Sequence, residues 1–344
     1  MVILITVFHL LKIIPPPKKM KYTDRIYVAG HTGLVGGAIV RCLQNKGYRY
    51  IITANSSELN LKDAYETKKF FIKEKPQFVF MAAAKVGGIL ANSTFSAEFI
   101  YDNLCIQTNV IHESYKSGVE KLLFLGSSCI YPKLSPQPIK EQYLLTGALE
   151  PTNAAYAVAK IAGIEMCKAY NQQYNCNFIS AMPTNIYGPG DNYDLQNAHV
   201  VPALIRKFYE AKINSSPTVT IWGSGKPRRE FLHVDDLAEA CYFLMMKYTD
   251  KNNIVNVGMG QDDTIQTVAE LIKTIANYEG TLTFDTTMPD GTMQKLLDTK
   301  KINTLGWKYA ISLQAGLEAT YKDFENKYNQ YTTYNKKQNV AVSV

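Results

Sequence analysis

Tyr156 and Lys160 stand four residues apart in the run Tyr156-Ala157-Val158-Ala159-Lys160. On a helix that spacing puts both side chains on one face, so a phenol and an ammonium project into one site. A cation beside a phenol favours the phenolate and is expected to lower its pKa from the ordinary ~10. A phenol so placed gives a proton to a ketone as hydride arrives, or takes one back in reverse. Ser127 lies in Gly126-Ser127-Ser128-Cys129, directly after the apolar residues 122–125. At a strand end its hydroxyl would reach the same carbonyl oxygen, and the carboxyl edge of a doubly wound sheet is where such sites form.

A second constellation supplies the hydride partner. Gly30-His31-Thr32-Gly33-Leu34-Val35-Gly36 fits G-x-x-G-x-x-G, straight after the first β-rich run and opening an amphipathic segment. Glycines at these points let the backbone turn tightly and approach a pyrophosphate seated on helix-terminal N–H groups. An acid at the end of the second strand would bind a ribose 2′-hydroxyl, and an arginine there a 2′-phosphate. The stretch Thr53-Ala54-Asn55-Ser56-Ser57-Glu58 offers neither in the expected place, so NAD and NADP both stay open at this point.

The elements that must position these groups follow from the apolar pattern. Residues 25–29, 50–53, 77–81, 121–125 and 177–182 are short β-rich runs separated by helix-length segments. Runs of this kind are strands buried on both faces of a parallel sheet, which predicts a Rossmann-type doubly wound α/β fold. Beyond residue 183 the loops grow richer in Gly, Pro, Asn and Asp, and a smaller mixed α+β substrate lobe is expected. The predicted organisation is an extension over residues 1–20, a dinucleotide-binding unit over 21–182, a mainly substrate-binding lobe over 183–330 with segments returning to the first unit, and a frayed tail over 331–344.

Composition bounds the remaining classes. The chain has 344 residues, 46% hydrophobic and 19% charged, and a formal net charge of +7. Part of that excess sits in the end segments, and a modest positive balance suits a substrate and cofactor that both carry phosphates. No Lys/Arg stripe follows one element, as a nucleic-acid reader requires. The six cysteines form no C-x-x-C pair, which argues against a zinc site or disulfide framework and for a reducing, cytoplasmic home. Residues 1–14 are mostly apolar but too short to span a bilayer comfortably. They carry no basic leading region and run into Pro15-Pro16-Pro17-Lys18-Lys19 rather than a small-residue cleavage site, so they read as an extension outside the fold.

Taken together, the glycine loop, Ser127, Tyr156 and Lys160 resemble the short-chain dehydrogenase/reductase superfamily in its extended, nucleotide-sugar-modifying branch. The resemblance narrows over four longer stretches. These are Ala82-Ala83-Ala84-Lys85-Val86-Gly87-Gly88-Ile89, Phe124-Leu125-Gly126-Ser127-Ser128-Cys129-Ile130-Tyr131-Pro132-Lys133-Leu134, Met182-Pro183-Thr184-Asn185-Ile186-Tyr187-Gly188-Pro189, and Trp222-Gly223-Ser224-Gly225 with Arg229-Glu230-Phe231-Leu232-His233-Val234-Asp235-Asp236. In content and order they resemble the GDP-L-fucose synthases, over about residues 25 to 326. The polar second-strand end departs from bacterial members, which carry arginines near Ala54 and Ser56.

The resemblance implies a reaction: GDP-4-keto-6-deoxy-D-mannose is epimerised at C3 and C5, then reduced at C4 by NADPH. A C4 ketone acidifies the hydrogens on both neighbouring carbons, and inversion needs a base on one face and an acid on the other. By resemblance that pair is Cys129 and His199, and an unperturbed thiol (~8.5) and imidazole (~6.5) both titrate near working pH. Ser127 and Tyr156 would hold the enolate oxygen, and Lys160 the nicotinamide ribose. The resemblance places the cofactor against Gly30, Thr32, Gly33, Leu34, Val35, Gly36, Ser56, Leu125, Ser127, Lys160, Pro183, Asn185, Ile186 and His199. It places the GDP-sugar against Lys207, Trp222, Arg229, Asp290 and Lys295, and it implies a homodimer. Competing readings are a 4-epimerase or 4,6-dehydratase of the same branch, which recycles its cofactor, and a binding protein that kept the fold. Dehydratases place an acidic pair beside the hydroxyl residue, where this chain has Ser128-Cys129. A binding-only descendant has no need of Ser127, Tyr156 and Lys160.

Overall fold

The computed structural model describes residues 19–195, 198–250, 254–288 and 290–341. The first part of the chain alternates strand and helix: β1 (Ile26–Ala29), α1 (Leu34–Asn45), β2 (Ile51–Ile52), α2 (Ala64–Glu74), β3 (Phe78–Met81), α3 (Ile89–Thr94), α4 (Ser96–Lys116), β4 (Lys121–Leu125), α5 (Ala154–Tyr174) and β5 (Phe178–Pro183). The remainder runs β6 (Asn185–Tyr187), α6 (Val200–Ile213), β7 (Thr218–Trp222), β8 (Arg228–Arg229), β9 (Phe231–His233), α7 (Val234–Lys247), β10 (Val255–Val257), β11 (Asp263–Thr264) and α8 (Ile265–Ala276). It ends with β12 (Thr281–Asp285), β13 (Gln294–Lys295), α9 (Lys300–Thr304) and α10 (Leu313–Ala341). Residues 1–18 of the predicted N-terminal extension lie outside the described residues; Met20 is already buried in the core.

Six parallel strands form the central sheet in the order β10-β5-β4-β3-β1-β2. Every residue of β1, β3, β4 and β5 is buried, as strands covered by helices on both faces must be. The pleat sends alternate residues to opposite sides. Ile26, Val28, Phe78, Phe80, Leu123 and Leu125 pack into one core with α1 and α7 residues, whereas Tyr27, Ala29, Val79, Met81, Leu122 and Phe124 pack into the other with α4 and α5. The chain goes from β1 to β2 in one direction and resumes at β3 on the other side of β1, which opens a crevice at the carboxyl edge.

The second part of the chain does two jobs. β10 extends the main sheet beside β5, and α7 packs on α1, where Arg41 and Lys46 pair with Asp235 and Glu239 at 2.9 Å each. Lys121, buried in β4, donates to the carbonyls of Leu244, Met245 and Tyr248 at 2.7–2.9 Å and so fixes the end of α7; burial pushes its ammonium pKa down to about 7. α6, α8 and α10 gather a third core with β7, and the remaining strands pair into the small sheets β11-β8-β13, β12-β7 and β6-β9. The α7 and β10 excursion means that the two sequence halves are interlaced rather than strung end to end.

Candidate active site

The glycine loop forms a cradle with one tight side and one open side. Gly30 has φ +84°, and a Cβ there would lie 2.7 Å from the Ala83 backbone. A Cβ on Gly36 would lie 2.1 Å from the Gly30 carbonyl oxygen, so only glycine lets α1 come this close to β1. Gly33 differs: it is the N-cap of α1 and offers no capping side chain, while a Cβ on it would meet only the Gly30 carbonyl at 3.5 Å. The exposed side of the cradle, at Thr32 and Gly33, leaves the first N–H groups of α1 available to an anion such as a phosphate. Leu34 and Val35 open α1 beside it, half-buried.

Ala substitution should therefore separate two effects. Gly36→Ala forces backbone against backbone, and overpacking of this kind costs ~1–3 kcal/mol. We expect a lowered Tm together with weaker NADPH binding, read by thermal melting and fluorescence titration. Gly33→Ala should keep its Tm and lose only affinity, because its methyl enters the open side; an unchanged affinity would show that the cradle is not the phosphate seat.

Beyond β2 the chain turns on Asn55, whose Oδ1 accepts from Ser57 N at 2.9 Å, Ser57 Oγ at 2.6 Å and Glu58 N at 3.2 Å. This turn leaves Ser56 exposed, and its polar face is made of hydroxyl and amide groups.

The second group of residues gathers at the end of β4. Ser127 has extended backbone and leads into a single 3-10 turn at Ser128–Ile130; its Oγ accepts from Cys129 N at 3.2 Å. Its hydroxyl is also hydrogen-bonded to that of Tyr156, which rises from the first turn of α5. Lys160, one turn on, is buried and donates from Nζ to the Leu125 carbonyl at 2.8 Å. The ammonium lies 5.8 Å from the Tyr156 ring centre and 4.9 Å from that of Phe124. Four-residue spacing on α5 thus brings the pair together as the sequence predicts.

The predicted direction of the Tyr156 pKa is corrected. Burial pushes the phenol well above its ordinary value, the nearby Cys129 adds to the rise, and only the Ser127 hydrogen bond opposes it. The cation does not reverse this because it is itself desolvated: burial pushes Lys160 down to about 8, and its hydrogen bond goes to Leu125. This environment favours the neutral phenol, the form that donates a proton as hydride arrives.

Cys129 sits on the same ledge. Its Sγ accepts from Asn153 Nδ2 at 3.4 Å and from Lys295 Nζ at 3.7 Å. Arg229 lies within electrostatic reach of Cys129, Asp290 and Glu150, and burial lowers its own pKa. Glu150 in turn pairs with Lys133 at 3.0 Å. Lys295, Arg229 and Lys133 thus gather cationic charge around Cys129 and Glu150. Lys295 was expected to serve the substrate alone; the fold also turns it onto the sulfur.

The other predicted substrate residues fall into two groups. Lys207, on α6, donates to the Thr220 carbonyl at 3.0 Å and lies 5.4 Å from the Trp222 ring centre. Trp222 is 53% exposed, so its ring is a free platform rather than core. Asp290 accepts from Ser224 N at 2.6 Å and Ser224 Oγ at 2.7 Å; these bonds pull its carboxyl below the usual range and pin the Gly223–Gly225 turn below Trp222. Its evident work is to shape the loop. His199 is the N-cap residue of α6 and remains exposed to solvent, although the protein crowded around it pushes its imidazole pKa down. Among the described residues no hydrogen bond ties its ring to Cys129 or Tyr156. Pro183 ends β5, Leu125 ends β4, and Asn185 and Ile186 lie in β6, where Asn185 Nδ2 donates to the Glu230 carbonyl at 2.9 Å. All four border the carboxyl edge.

Two residues escaped the sequence reading. Asn153 was visible only as a third polar residue on the Tyr156–Lys160 face, three and seven positions before them. Glu230 is fully buried, and burial raises its carboxyl pKa to about 7; it accepts from Gly260 N at 2.6 Å and Leu297 N at 3.0 Å, which ties the loops around Arg229 together. Nothing but its place in the Arg229-Glu230-Phe231 stretch could have marked it.

A glycine-turn dinucleotide cradle beside a Ser–Tyr–Lys set, on one carboxyl edge of a doubly wound sheet, defines a nicotinamide-dependent enzyme of the short-chain reductase type. The family model described as NAD dependent epimerase/dehydratase matches residues 26–258. GDP-L-fucose synthase 1 from Arabidopsis thaliana is 56% identical over 297 residues, 86% of this chain and 92% of that protein. GDP-L-fucose synthase from Escherichia coli K12 is 49% identical over 309 residues, 88% of this chain and 96% of that protein. Among solved structures, a GDP-L-fucose synthetase from Naegleria fowleri bound to NADP superposes with a TM-score of 0.84 at 30% identity, covering 92% of this chain and 98% of that one. The chain belongs to the NAD dependent epimerase/dehydratase family and, within it, to the GDP-L-fucose synthases.

Proposed function

We propose that this enzyme inverts C3 and C5 of GDP-4-keto-6-deoxy-D-mannose and reduces C4 to give GDP-L-fucose, with NADP(H) as cofactor. The observation that carries the reading is Cys129, whose backbone N–H is bonded to Ser127 Oγ and whose thiol lies within electrostatic reach of the Tyr156 phenol. The Ser127–Tyr156 hydroxyl pair suits a carbonyl oxygen, and the sulfur then faces carbons next to it. In each inversion one group removes the proton from the carbon and another returns one to the opposite face, with the electron pair held meanwhile on the oxygen between Ser127 and Tyr156. Cys129 takes one face and His199 the other. Bound NADPH would supply the hydride for C4, and Tyr156 is placed to give its phenol proton to the C4 oxygen. Lys160 holds the ribose, the α1 N-terminus the pyrophosphate, and Trp222 with Lys207 and Arg229 the GDP portion.

The same reading extends to organisation. Residues 21–182 form the dinucleotide unit, with α7 and β10 returned to it, and the rest of 183–330 forms the substrate lobe. No described helix is long and apolar enough to cross a membrane. The free thiols suit a reducing compartment such as the cytoplasm, where we place the enzyme. A homodimer is inferred from family membership.

The test is incubation with the 4-keto sugar and each reduced cofactor, followed by identification of the sugar. We expect one NADPH oxidised per GDP-L-fucose made. Turnover of the sugar without net cofactor oxidation would instead support a 4-epimerase or 4,6-dehydratase.

A further inference from the structure

Asn153 is the N-cap residue of α5, and asparagine is among the best residues for that place because its Oδ1 can accept from an unpaired N–H of the first turn. Here it does not cap. Its φ of −130° and ψ of 16° lie away from the extended geometry of a capping residue, and its side chain makes no cap hydrogen bond. The amide Nδ2 instead donates to Cys129 Sγ at 3.4 Å, while Oδ1 is buried with no partner among the described residues. Two stabilising options, a helix cap and a satisfied carbonyl, are thus both forgone by one side chain. Buried polar atoms left in this state are few in native proteins and cluster where function demands the geometry.

The position on α5 gives that geometry a purpose. Asn153, Tyr156 and Lys160 fall on one helical face, at i, i+3 and i+7. From that face Lys160 reaches the Leu125 carbonyl, Tyr156 reaches Ser127, and Asn153 reaches the sulfur. One rigid helix therefore sets the distance between the phenol and the sulfur. Lys295 approaches the same sulfur at 3.7 Å, but from β13 at the end of a long, flexible stem. The short amide is the better positional constraint.

We propose that Asn153 is the positioning residue of Cys129, holding its sulfur through an N–H donor so that proton exchange with the sugar occurs in register with Tyr156. This rests on Cys129 being the acid–base group of the epimerisation. A sulfur accepts an N–H in both of its protonation states, so the contact persists as the proton comes and goes. The amide makes no covalent bond and exchanges no proton itself.

Asn153→Asp tests this directly. Aspartate has nearly the same shape and caps helices as well as asparagine, but once ionised it cannot donate to the sulfur; the charge it adds beside Lys295 is controlled for by the uncharged Asn153→Ala. With GDP-4-keto-6-deoxy-D-mannose in deuterated buffer, we expect the variant to incorporate solvent deuterium at the sugar at least 10-fold more slowly, with Tm, NADPH affinity and substrate KM held within about two-fold or a few degrees. Asn153→Ala should be as slow. Wild-type deuterium incorporation by Asn153→Asp would overturn the proposal and reduce Asn153 to a shape-filling residue. Cys129→Ser run alongside separates the two ideas. If Cys129→Ser also exchanges normally, the reading of Cys129 fails; if it is dead while Asn153→Asp is normal, only the role of Asn153 fails.

Discussion

Cys129→Ser is expected to slow solvent deuterium wash-in at C3 and C5 by two or more decades, while slow reduction of the unepimerised ketone continues. The size follows from removing a positioned acid–base group, worth ~10²–10⁴ in rate. A serine hydroxyl occupies nearly the same place but gives up its proton far less readily than a thiol, so geometry survives and proton transfer does not. The surroundings argue that geometry would survive. The Cys129 N–H bond to Ser127 is a backbone contact, and the donors from Asn153 and Lys295 can be accepted by oxygen as well as by sulfur. Mass spectrometry of the recovered sugar reads the wash-in, and NADPH absorbance reads the reduction. Wash-in at the wild-type rate would remove Cys129 from the mechanism. Loss of both activities, with NADPH affinity intact, would mean that reduction needs the epimerised sugar.

The contrast between what sequence made legible and what it hid has a physical pattern. The four central strands were legible because burial on both faces leaves no room for polar alternation, and β4 runs from Lys121 to Leu125 as read. The Tyr156–Lys160 pairing was legible because helical spacing is a local property that survives folding. β10 escaped notice because Val255-Asn256-Val257 is three residues long, and only its register against Ala181–Pro183 makes it a strand. The direction of the Tyr156 pKa was misread for a related reason. Spacing says that a cation is near, but not that the cation is desolvated and spends its hydrogen bond on Leu125. Contacts between distant segments are the least legible. Lys295 lies 166 positions from Cys129 in the chain, and only the fold shows the ammonium facing the sulfur. The departure from bacterial relatives at the end of β2 was legible as composition. Its form, an Asn55-centred turn with Ser56 outside, was not.

The corrected state of Tyr156 sharpens the other large prediction. Because its surroundings favour the neutral phenol, its proton is available for transfer throughout the neutral range; Ser127, whose Oγ accepts from Cys129 N, can still donate a hydrogen bond, but an aliphatic hydroxyl is a far weaker acid than a phenol. Tyr156→Phe keeps the ring, its packing and the helix, and deletes only the O–H. The hydride would then arrive at a carbon whose oxygen must accumulate charge with one hydrogen bond instead of two and no acid. Losing a positioned proton donor costs ~10²–10⁴ in rate, so reduction should fall by two or more decades. Epimerisation should fall less, since the enolate oxygen keeps Ser127 as a donor and the proton transfers at carbon belong to Cys129 and His199. Single-turnover NADPH oxidation, with an epimerised 4-keto sugar supplied to bypass the earlier steps, isolates the effect. Ser127→Ala in the same assay should lose less than Tyr156→Phe, because it deletes a hydrogen bond without deleting the acid. A reduction rate near wild type in Tyr156→Phe would assign the proton to another group, and the alignment of Ser127, Tyr156 and Lys160 on the carboxyl edge would then serve binding alone.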